Sequence, residues 1–448
     1  MKMPRMAKSP AIVLQRCFAR RVSAPAARQG PTRWGLRCGS IACAPPRSRP
    51  IRAPSLSLGA APRGGCGDPP RKSVFSVVVL GAFLAAALVA AARAAAADGA
   101  PDEPLRNEVG KKGWIVIAAY AQEIETQKRL PDDEAGQADL YLLRPDGSEM
   151  RNITRTPDAH EFFVRFSADG RKIMYRRLRK GKDIEHDAVG TQGALVTAAS
   201  DGSDPVAFGK NGEYPWATWS PDARQIACLY KNEGVIRIFD FETQKQVREM
   251  PAHGIFQQMS WSPDGKHLCG TAKVKGEMWN IVALDLATQE VKVLSRHLNC
   301  TPNWLKDGSG VVNSCRNPAW GRKGGKGEPY GNTVLVQAAL AGPAPALLYA
   351  DIDAHIYNGF TSPDDRYVAF HTGQSEGGTR GDPAKHRCFY VMRRADGPIL
   401  QPGFDALAAL HPKAGSGPVL QARFPNGRPL VTVFVAGDWT YAEIGGRK

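Results

Sequence analysis

The 448-residue sequence lacks the short motifs that identify several large classes of enzyme and metal protein. No two cysteines are spaced as Cys-x-x-Cys, which argues against a zinc ribbon and a thioredoxin-like redox site. No P-loop and no G-x-G-x-x-G opens a helix. One G-x-S-x-G pattern, Gly373-Gln-Ser375-Glu-Gly377, lies in a predicted loop without the strand–turn–helix setting of a hydrolase nucleophile. We therefore look for function in the fold and its loops.

Acidic residues are almost absent from the first 73 residues, which hold 15 Lys and Arg and one acid, Asp68. The remainder has 44 basic and 42 acidic residues, so most of the net charge of +16 belongs to this leader. Residues 1–73 are rich in Pro, Arg and Ala without an apolar period, which predicts a disordered leader or a translation start set too early. Because the charge lies there, we expect no nucleic-acid partner for the remaining domain.

Only one long apolar run is present, Val74 to Ala92. Arg71-Lys72 precedes it and Ala95-Ala96-Ala97 follows it, which is the order of regions in a signal peptide. The run is long for a cleaved signal and nearly long enough to cross a bilayer. Residues 74–97 are therefore predicted to be a signal peptide or an N-terminal membrane anchor. The protein is expected to be periplasmic or secreted. If it is anchored to a membrane, residues 74–92 are the anchor.

The strongest internal signal is a turn that recurs along the chain between residues 166 and 427. Its copies are Phe166-Ser-Ala-Asp-Gly170, Trp219-Ser-Pro-Asp-Ala223, Trp261-Ser-Pro-Asp-Gly265, Leu305-Lys-Asp-Gly308, Thr361-Ser-Pro-Asp-Asp365 and Phe424-Pro-Asn-Gly427. Pro presets φ, Asp accepts hydrogen bonds from following amides, and the last residue takes the left-handed conformation. The copies are spaced as propeller blades with insertions, and an apolar strand follows each. This predicts an all-β fold over residues 110–445, a β-propeller of four-stranded blades.

The turn occurs together with a strand of the form Asp139-Leu-Tyr-Leu-Leu143, followed by Pro145-Asp-Gly-Ser148. This pairing resembles the repeat of TolB-like, or WD-like, β-propellers. Strand counting gives about 26 strands, between the 24 of six blades and the 28 of seven. We expect seven blades, with the termini making the least regular ones, and keep six as the alternative. Our first hypothesis for function is an exported, non-catalytic scaffold that binds a protein or a cell-envelope polymer and needs no cofactor.

Four histidines lie 9 to 11 residues before the Asp of a turn, which places them in equivalent loops ahead of the inner strands. They are His160, His253, His297 and His355. One interpretation is structural, with each imidazole hydrogen-bonded within its own blade. The other is that two or three of them converge on a divalent metal ion, for which imidazole is a common ligand.

The loops predicted on the same face carry many basic residues. The candidate ligand-binding residues are Arg176, Arg177, Lys180, Arg322, Lys323 and Arg387. Together with the histidines they weakly resemble the oligogalacturonate lyase family, in which metal-ligating His and basic residues act on an acidic sugar. This resemblance implies the alternative function, a metal-dependent polysaccharide lyase acting on acidic oligosaccharides, with a divalent metal as cofactor. The catalytic base is not assigned.

Cys300 and Cys315 are placed symmetrically about the turn from Lys306 to Ser309. In a regular hairpin the two would face each other, and in an oxidising compartment they would form a disulfide. The other interpretation is a pair of small buried strand residues.

Overall fold

In the described residues of the computed structural model, six four-stranded sheets form a closed ring. The structure describes residues 103–130, 134–179, 193–209, 216–296, 298–323, 329–342, 345–351, 354–373, 387–396, 419–433 and 437–445. The predicted leader and the signal peptide or anchor lie outside these residues. Within the described part of the chain, no helix combines the length and the apolar character needed to cross a membrane.

Each blade is an antiparallel sheet, and its strands are listed below from the propeller axis outward. Blade 1 contains β24 (Asp438–Thr440), β1 (Trp114–Tyr120), β2 (Ala138–Leu143) and β3 (Arg151–Asn152). Blade 2 contains β4 (Ala159–Phe166), β5 (Lys172–Arg179), β6 (Ala194–Ala199) and β7 (Val206–Phe208). Blade 3 contains β8 (Trp216–Trp219), β9 (Gln225–Tyr230), β10 (Val235–Asp240) and β11 (Gln246–Pro251).

The other three blades follow the same order. Blade 4 contains β12 (Ile255–Trp261), β13 (His267–Val274), β14 (Glu277–Asp285) and β15 (Val291–Ser295). Blade 5 contains β16 (Asn299–Trp304), β17 (Gly310–Lys323), β18 (Pro329–Ala339) and β19 (Ala346–Tyr349). Blade 6 contains β20 (His355–Thr361), β21 (Tyr367–Gly373), β22 (Phe389–Arg393) and β23 (Val419–Gln421).

The prediction of seven blades is wrong, and the alternative of six is confirmed. The segment from Val419 to Ile444 was counted as three strands of an additional blade. It instead supplies β23, the outer strand of blade 6, and β24, the inner strand of blade 1. The turn at Phe424–Gly427 follows an outer strand, although its sequence resembles the turns that follow inner strands. Pairing of β24 with β1 closes the ring and leaves no open edge between the first and last blades.

The recurring turns have the predicted hydrogen bonds. In blade 3, Asp222 Oδ1 accepts from Arg224 N at 3.0 Å, as predicted. In addition, Ser220 Oγ donates to Asp222 Oδ1 at 2.6 Å and accepts from Gln225 N at 2.9 Å. The Ser-Pro-Asp turns of blades 4 and 6 repeat this pattern. The left-handed position is taken by a glycine in some copies and by Ala223 and Asp365 in others, as the sequence predicted. The serine hydrogen bond lowers the pKa of Asp222.

A β-bulge interrupts four of the inner strands at the same place. Phe163, Gln258, Thr301 and Asn358 each lie six residues before the Asp of their turn and have φ between 52° and 56°. The pairing register with the second strand shifts around each of them. A bulge re-aims the side chains that follow it, and it therefore determines which residues face the axis.

The bulge also decides the arrangement of Cys300 and Cys315. Next to the turn the register is symmetric, because Trp304 is opposite Val311. Beyond the bulge at Thr301 the register moves by one residue, so Cys300 is opposite Ser314. The two cysteines are therefore not cross-strand partners, and the structure contains no disulfide between them.

A short N-terminal helix, α1 (Glu103–Val109), packs on the ring where it closes. Leu105 and Val109 are fully buried in a cluster that includes Trp439 of β24. A second helix, α2 (Ala121–Thr126), follows β1, and a 3-10 turn spans Arg394–Asp396. Arg393 Nε donates to Glu108 at 2.9 Å. Closure of the ring is thus stabilised by apolar packing and an ion pair as well as by the pairing of β24 with β1.

Candidate functional site

The propeller has two distinct ends. The inner strands, β24, β4, β8, β12, β16 and β20, all run in one direction along the axis. The turns that join each inner strand to its neighbour therefore lie at one end, which we call the turn end. The connections between blades, and those between the second and third strands, lie at the opposite loop end.

The turn end contains a cavity of about 480 Å³ on the propeller axis, lined by all six inner strands. Two recurring positions build its wall. The first position lies four residues before the Asp of each turn, and β24 has an equivalent position. It is occupied by Arg165, Thr218, Ser260, Asn303, Phe360 and Asp438. The residues that follow them are Phe166, Trp219, Trp261, Trp304, Thr361 and Trp439.

Charged groups of opposite sign meet on one side of this cavity. Asp438 Oδ2 accepts a hydrogen bond from Phe166 N at 3.1 Å, and Oδ1 accepts from Trp439 N at 2.9 Å. Lys306 Nζ lies 3.7 Å from Asp438 Oδ1. The guanidinium of Arg165 donates to Gly437 O at 3.4 Å. Burial lowers the pKa of Arg165, while the charge of Asp438 opposes that change.

Three further side chains of the cavity wall have buried polar atoms without a hydrogen-bond partner among the described residues. These atoms are Trp219 Nε1, Asn303 Oδ1 and Thr361 Oγ1. The three residues are 6%, 5% and 2% exposed. Buried polar atoms are usually paired, and an unpaired one at a cavity wall is a group that a ligand can satisfy. The wall of the cavity thus includes three residues with an unpaired polar atom, and Lys306 adds an ammonium group.

This site was not predicted from the sequence, because the candidate residues were all placed in connections of the loop end. The sequence does contain a signal for this site: single copies of the turn have a residue that differs from the one in the other copies. Lys306 stands where three other inner turns have proline, which brings an ammonium group to the cavity. Thr361 stands where the other blades have Trp or Phe, so blade 6 leaves one section of the wall without an indole or phenyl ring.

The predicted histidines occupy separate places in the ring. His160 Nδ1 accepts from the backbone N–H of Ala138 at 3.0 Å, and His355 Nδ1 accepts from that of Thr333 at 3.0 Å. In both cases the donor belongs to the preceding blade, so the bond joins two blades instead of lying within one as the structural interpretation expected. His253 is exposed, with Nε2 3.3 Å from Gln289 Oε1.

His297 lies outside the described residues. Among the residues that the structure does describe, no three His, Cys, Asp or Glu side chains are grouped so that they could hold a metal ion. The metal site stays a prediction.

The predicted basic residues are also dispersed. Arg177 Nε donates to the buried Glu161 at 2.8 Å, and Arg387 donates to the buried Glu123 at 2.9 Å. Arg176 is 2% exposed and lines a small cavity deeper along the axis. Lys180, and the side chains of Arg322 and Lys323, lie outside the described part of the structure. Of the three described arginines, Arg176 is buried, and Arg177 and Arg387 are partly buried and form ion pairs, so their role in ligand binding stays a prediction.

The ion pair of Arg177 belongs to a buried acidic cluster between blades 1 and 2. Glu161 and Asp139 are 0% and 1% exposed. Asn152 Nδ2 donates to Asp139 Oδ2 at 2.7 Å. Burial raises the pKa of Glu161 to about 7, although Arg177 opposes the shift, and burial also raises the pKa of Asp139. The loop end thus contains a carboxyl group that titrates near neutral pH.

No protein-family model and no curated protein matches the chain. Solved structures to which the chain is similar at low identity include TolB and another β-propeller. A solved structure titled as a putative TolB from Agrobacterium tumefaciens is 16% identical, covers 72% of this chain and 97% of its own, and gives a TM-score of 0.43.

Two further solved structures give similar values. TolB from Acinetobacter baumannii is 17% identical, covers 55% of this chain and 68% of its own, and gives a TM-score of 0.35. A chain of a nidogen/laminin complex is 10% identical, covers 73% of this chain and 98% of its own, and gives a TM-score of 0.42. At these identities the likeness concerns the fold alone.

Proposed function

We propose that the protein is an exported, non-catalytic propeller that binds a segment of another protein or of a cell-envelope polymer at its turn end. The ligand inserts a projecting group into the axial cavity, while the turns around the opening contact the flanking parts. The order of charged, apolar and small residues at 71–97 supports export. The rigid ring presents the cavity wall in a fixed arrangement, which limits the entropy lost on binding.

The observation that carries this proposal is the set of buried polar atoms at the cavity wall. Trp219 Nε1, Asn303 Oδ1 and Thr361 Oγ1 lack partners within the described chain and line one cavity. Burial of an unpaired polar group costs about 1–3 kcal/mol, so a ligand that pairs with them gains that energy. Described basic residues at the loop end, such as Arg177 and Arg387, already have partners.

Narrowing the cavity tests the proposal. Thr361→Trp introduces the residue that four other blades have at this position, and Thr218→Phe introduces the residue that Phe360 provides in blade 6. The immobilised full chain is presented with a degenerate pool of end-blocked heptapeptides and, separately, with oligomers of polygalacturonate. We expect one ligand class to be retained by the wild type and at least tenfold less by both variants.

His253→Ala is the matched control, because it alters an exposed side chain at the loop end. It should retain ligand like the wild type, and unfolding midpoints should show that all variants fold. Retention that survives both cavity variants, or that is lost in His253→Ala, would contradict the turn-end site. Release of unsaturated products from the oligomers would contradict the non-catalytic part and support the lyase.

A further inference from the structure

Among the charged residues that line the axial cavity, Lys306 has the weakest described interactions. Its side chain is 40% exposed, and its ammonium group approaches Asp438 only to 3.7 Å. This distance is longer than a hydrogen bond, and Nζ donates to no acceptor among the described residues. A lysine ammonium has three donors. Lys306 can therefore take a ligand oxygen without breaking a hydrogen bond of the described structure.

The two carboxylates that line the cavity have other partners. Asp438 accepts two backbone N–H groups and has the positive charge of Arg165 nearby. Asp169 accepts from Ser167 Oγ at 2.6 Å and from Arg171 N at 3.1 Å, and the guanidinium of Arg171 lies 3.9 Å away. Neither carboxylate depends on Lys306, so an incoming anion competes with a weak ion pair.

The uncharged part of the wall matches a peptide better than a sugar. A peptide unit has one acceptor and one donor, and the residues of the wall include one unpaired donor, Trp219 Nε1, one unpaired acceptor, Asn303 Oδ1, and one hydroxyl, Thr361 Oγ1, which can act as either. Phe360 and the prolines of the turns add apolar surface beside them. A uronate ring has several hydroxyl groups, each of which would need a partner on burial.

We propose that the bound segment is an acidic peptide whose Asp or Glu carboxylate accepts a hydrogen bond from Lys306 Nζ at the turn end. This inference rests on the proposed function. It adds a residue that selects the ligand: the ammonium of Lys306 pairs with the ligand carboxylate, and the Trp219 and Asn303 groups pair with the adjacent backbone.

The test uses two degenerate pools of end-blocked heptapeptides that differ only at the central residue, Asp in one and Asn in the other. Retention by the immobilised full chain is measured for the wild type, Lys306→Met and Lys266→Met. Lys266 is the matched control, because it is exposed in the turn of blade 4 and does not line the cavity. We expect the wild type and Lys266→Met to retain the Asp pool about tenfold more than the Asn pool, and Lys306→Met to lose this preference.

Lys306→Glu should reverse the preference, and Lys306→Arg should restore most of it, which separates charge recognition from a structural effect. Equal retention of both pools by the wild type, with retention still lost in Thr361→Trp, would overturn the inference and leave the proposed function standing. Retention of polygalacturonate oligomers alone would also overturn it. Failure of the wild type to retain either ligand class would overturn both.

Discussion

The two ends of the propeller use their charged residues in opposite ways. At the loop end the described arginines pair with buried carboxylates of neighbouring elements, as in Arg177 with Glu161 and Arg387 with Glu123. At the turn end Lys306 faces an axial cavity and donates to no described acceptor. A high local content of basic residues therefore did not mark the candidate binding surface. A single departure from a repeated turn did.

The largest expected effect tests whether the turn end also holds the ring closed. Trp439 is 2% exposed, and its Nε1 donates to Lys112 O at 2.6 Å. We expect Trp439→Ala to lower the free energy of unfolding by about 3–5 kcal/mol, the usual cost of truncating a buried aromatic residue. Urea unfolding measures it. Trp439→Phe should recover most of the loss, and a change below about 1 kcal/mol for Trp439→Ala would show that β24 contributes little to closure.

The next effect distinguishes two histidines at the loop end. His355→Ala removes the acceptor of the buried Thr333 N–H and leaves a cavity, so we expect a loss of about 2–4 kcal/mol. His253→Ala should cost less than about 0.5 kcal/mol, since its side chain is exposed. Unfolding of both variants is compared with and without EDTA. A chelator effect on the wild type that His355→Ala abolishes would support the metal site and contradict a purely structural His355.

The acidic cluster gives the loop end a pH dependence of its own. Burial raises the pKa of Glu161 from its ordinary 4.5 to about 7, so the folded chain binds more protons than the unfolded chain between these values. Stability should therefore fall as the pH rises through that window, by roughly 2–3 kcal/mol. Glu161→Gln should remove this slope in urea unfolding from pH 4.5 to 8. Glu249→Gln, which alters an exposed carboxylate paired with Arg237, should leave the slope unchanged.

The smallest effect concerns one inner turn. Ser220→Ala removes two hydrogen bonds in the turn of blade 3, and we expect a loss of about 1–2 kcal/mol. The pKa of Asp222 should rise toward its ordinary value, because the serine hydroxyl lowers it. Carboxyl NMR titration measures this. Ser220→Thr keeps the hydroxyl and should preserve both properties, and an unchanged Asp222 pKa in Ser220→Ala would assign the shift to another group.

The fold was predictable where the interactions are local. The Ser-Pro-Asp turns specify their own hydrogen bonds, and the alternation of apolar residues specifies the strands that follow. The number of blades was not predictable in this way. Phe424-Pro-Asn-Gly427 has the same local chemistry as an inner turn, and only the pairing of β23 with β22 shows that it follows an outer strand.

The site was less predictable, because it depends on the bulges. A shift of one residue at Thr301 separates Cys300 from Cys315, and bulges at the same position in four inner strands re-aim the side chains that follow toward the cavity. Sequence spacing did place His160 and His355 at equivalent positions. It could not show that both imidazoles accept a backbone N–H from the preceding blade.

The central claim, that ligand binds at the turn end, is tested most directly by ¹⁹F NMR of the full chain labelled with 5-fluorotryptophan. Trp219 and Trp261 line the cavity, whereas Trp279 lies at the loop end, next to the turn between β13 and β14. Single Trp→Phe variants assign the three resonances. Addition of a retained heptapeptide should shift those of Trp219 and Trp261 and leave that of Trp279 in place. A shift of Trp279 alone would place the ligand at the loop end and contradict this account.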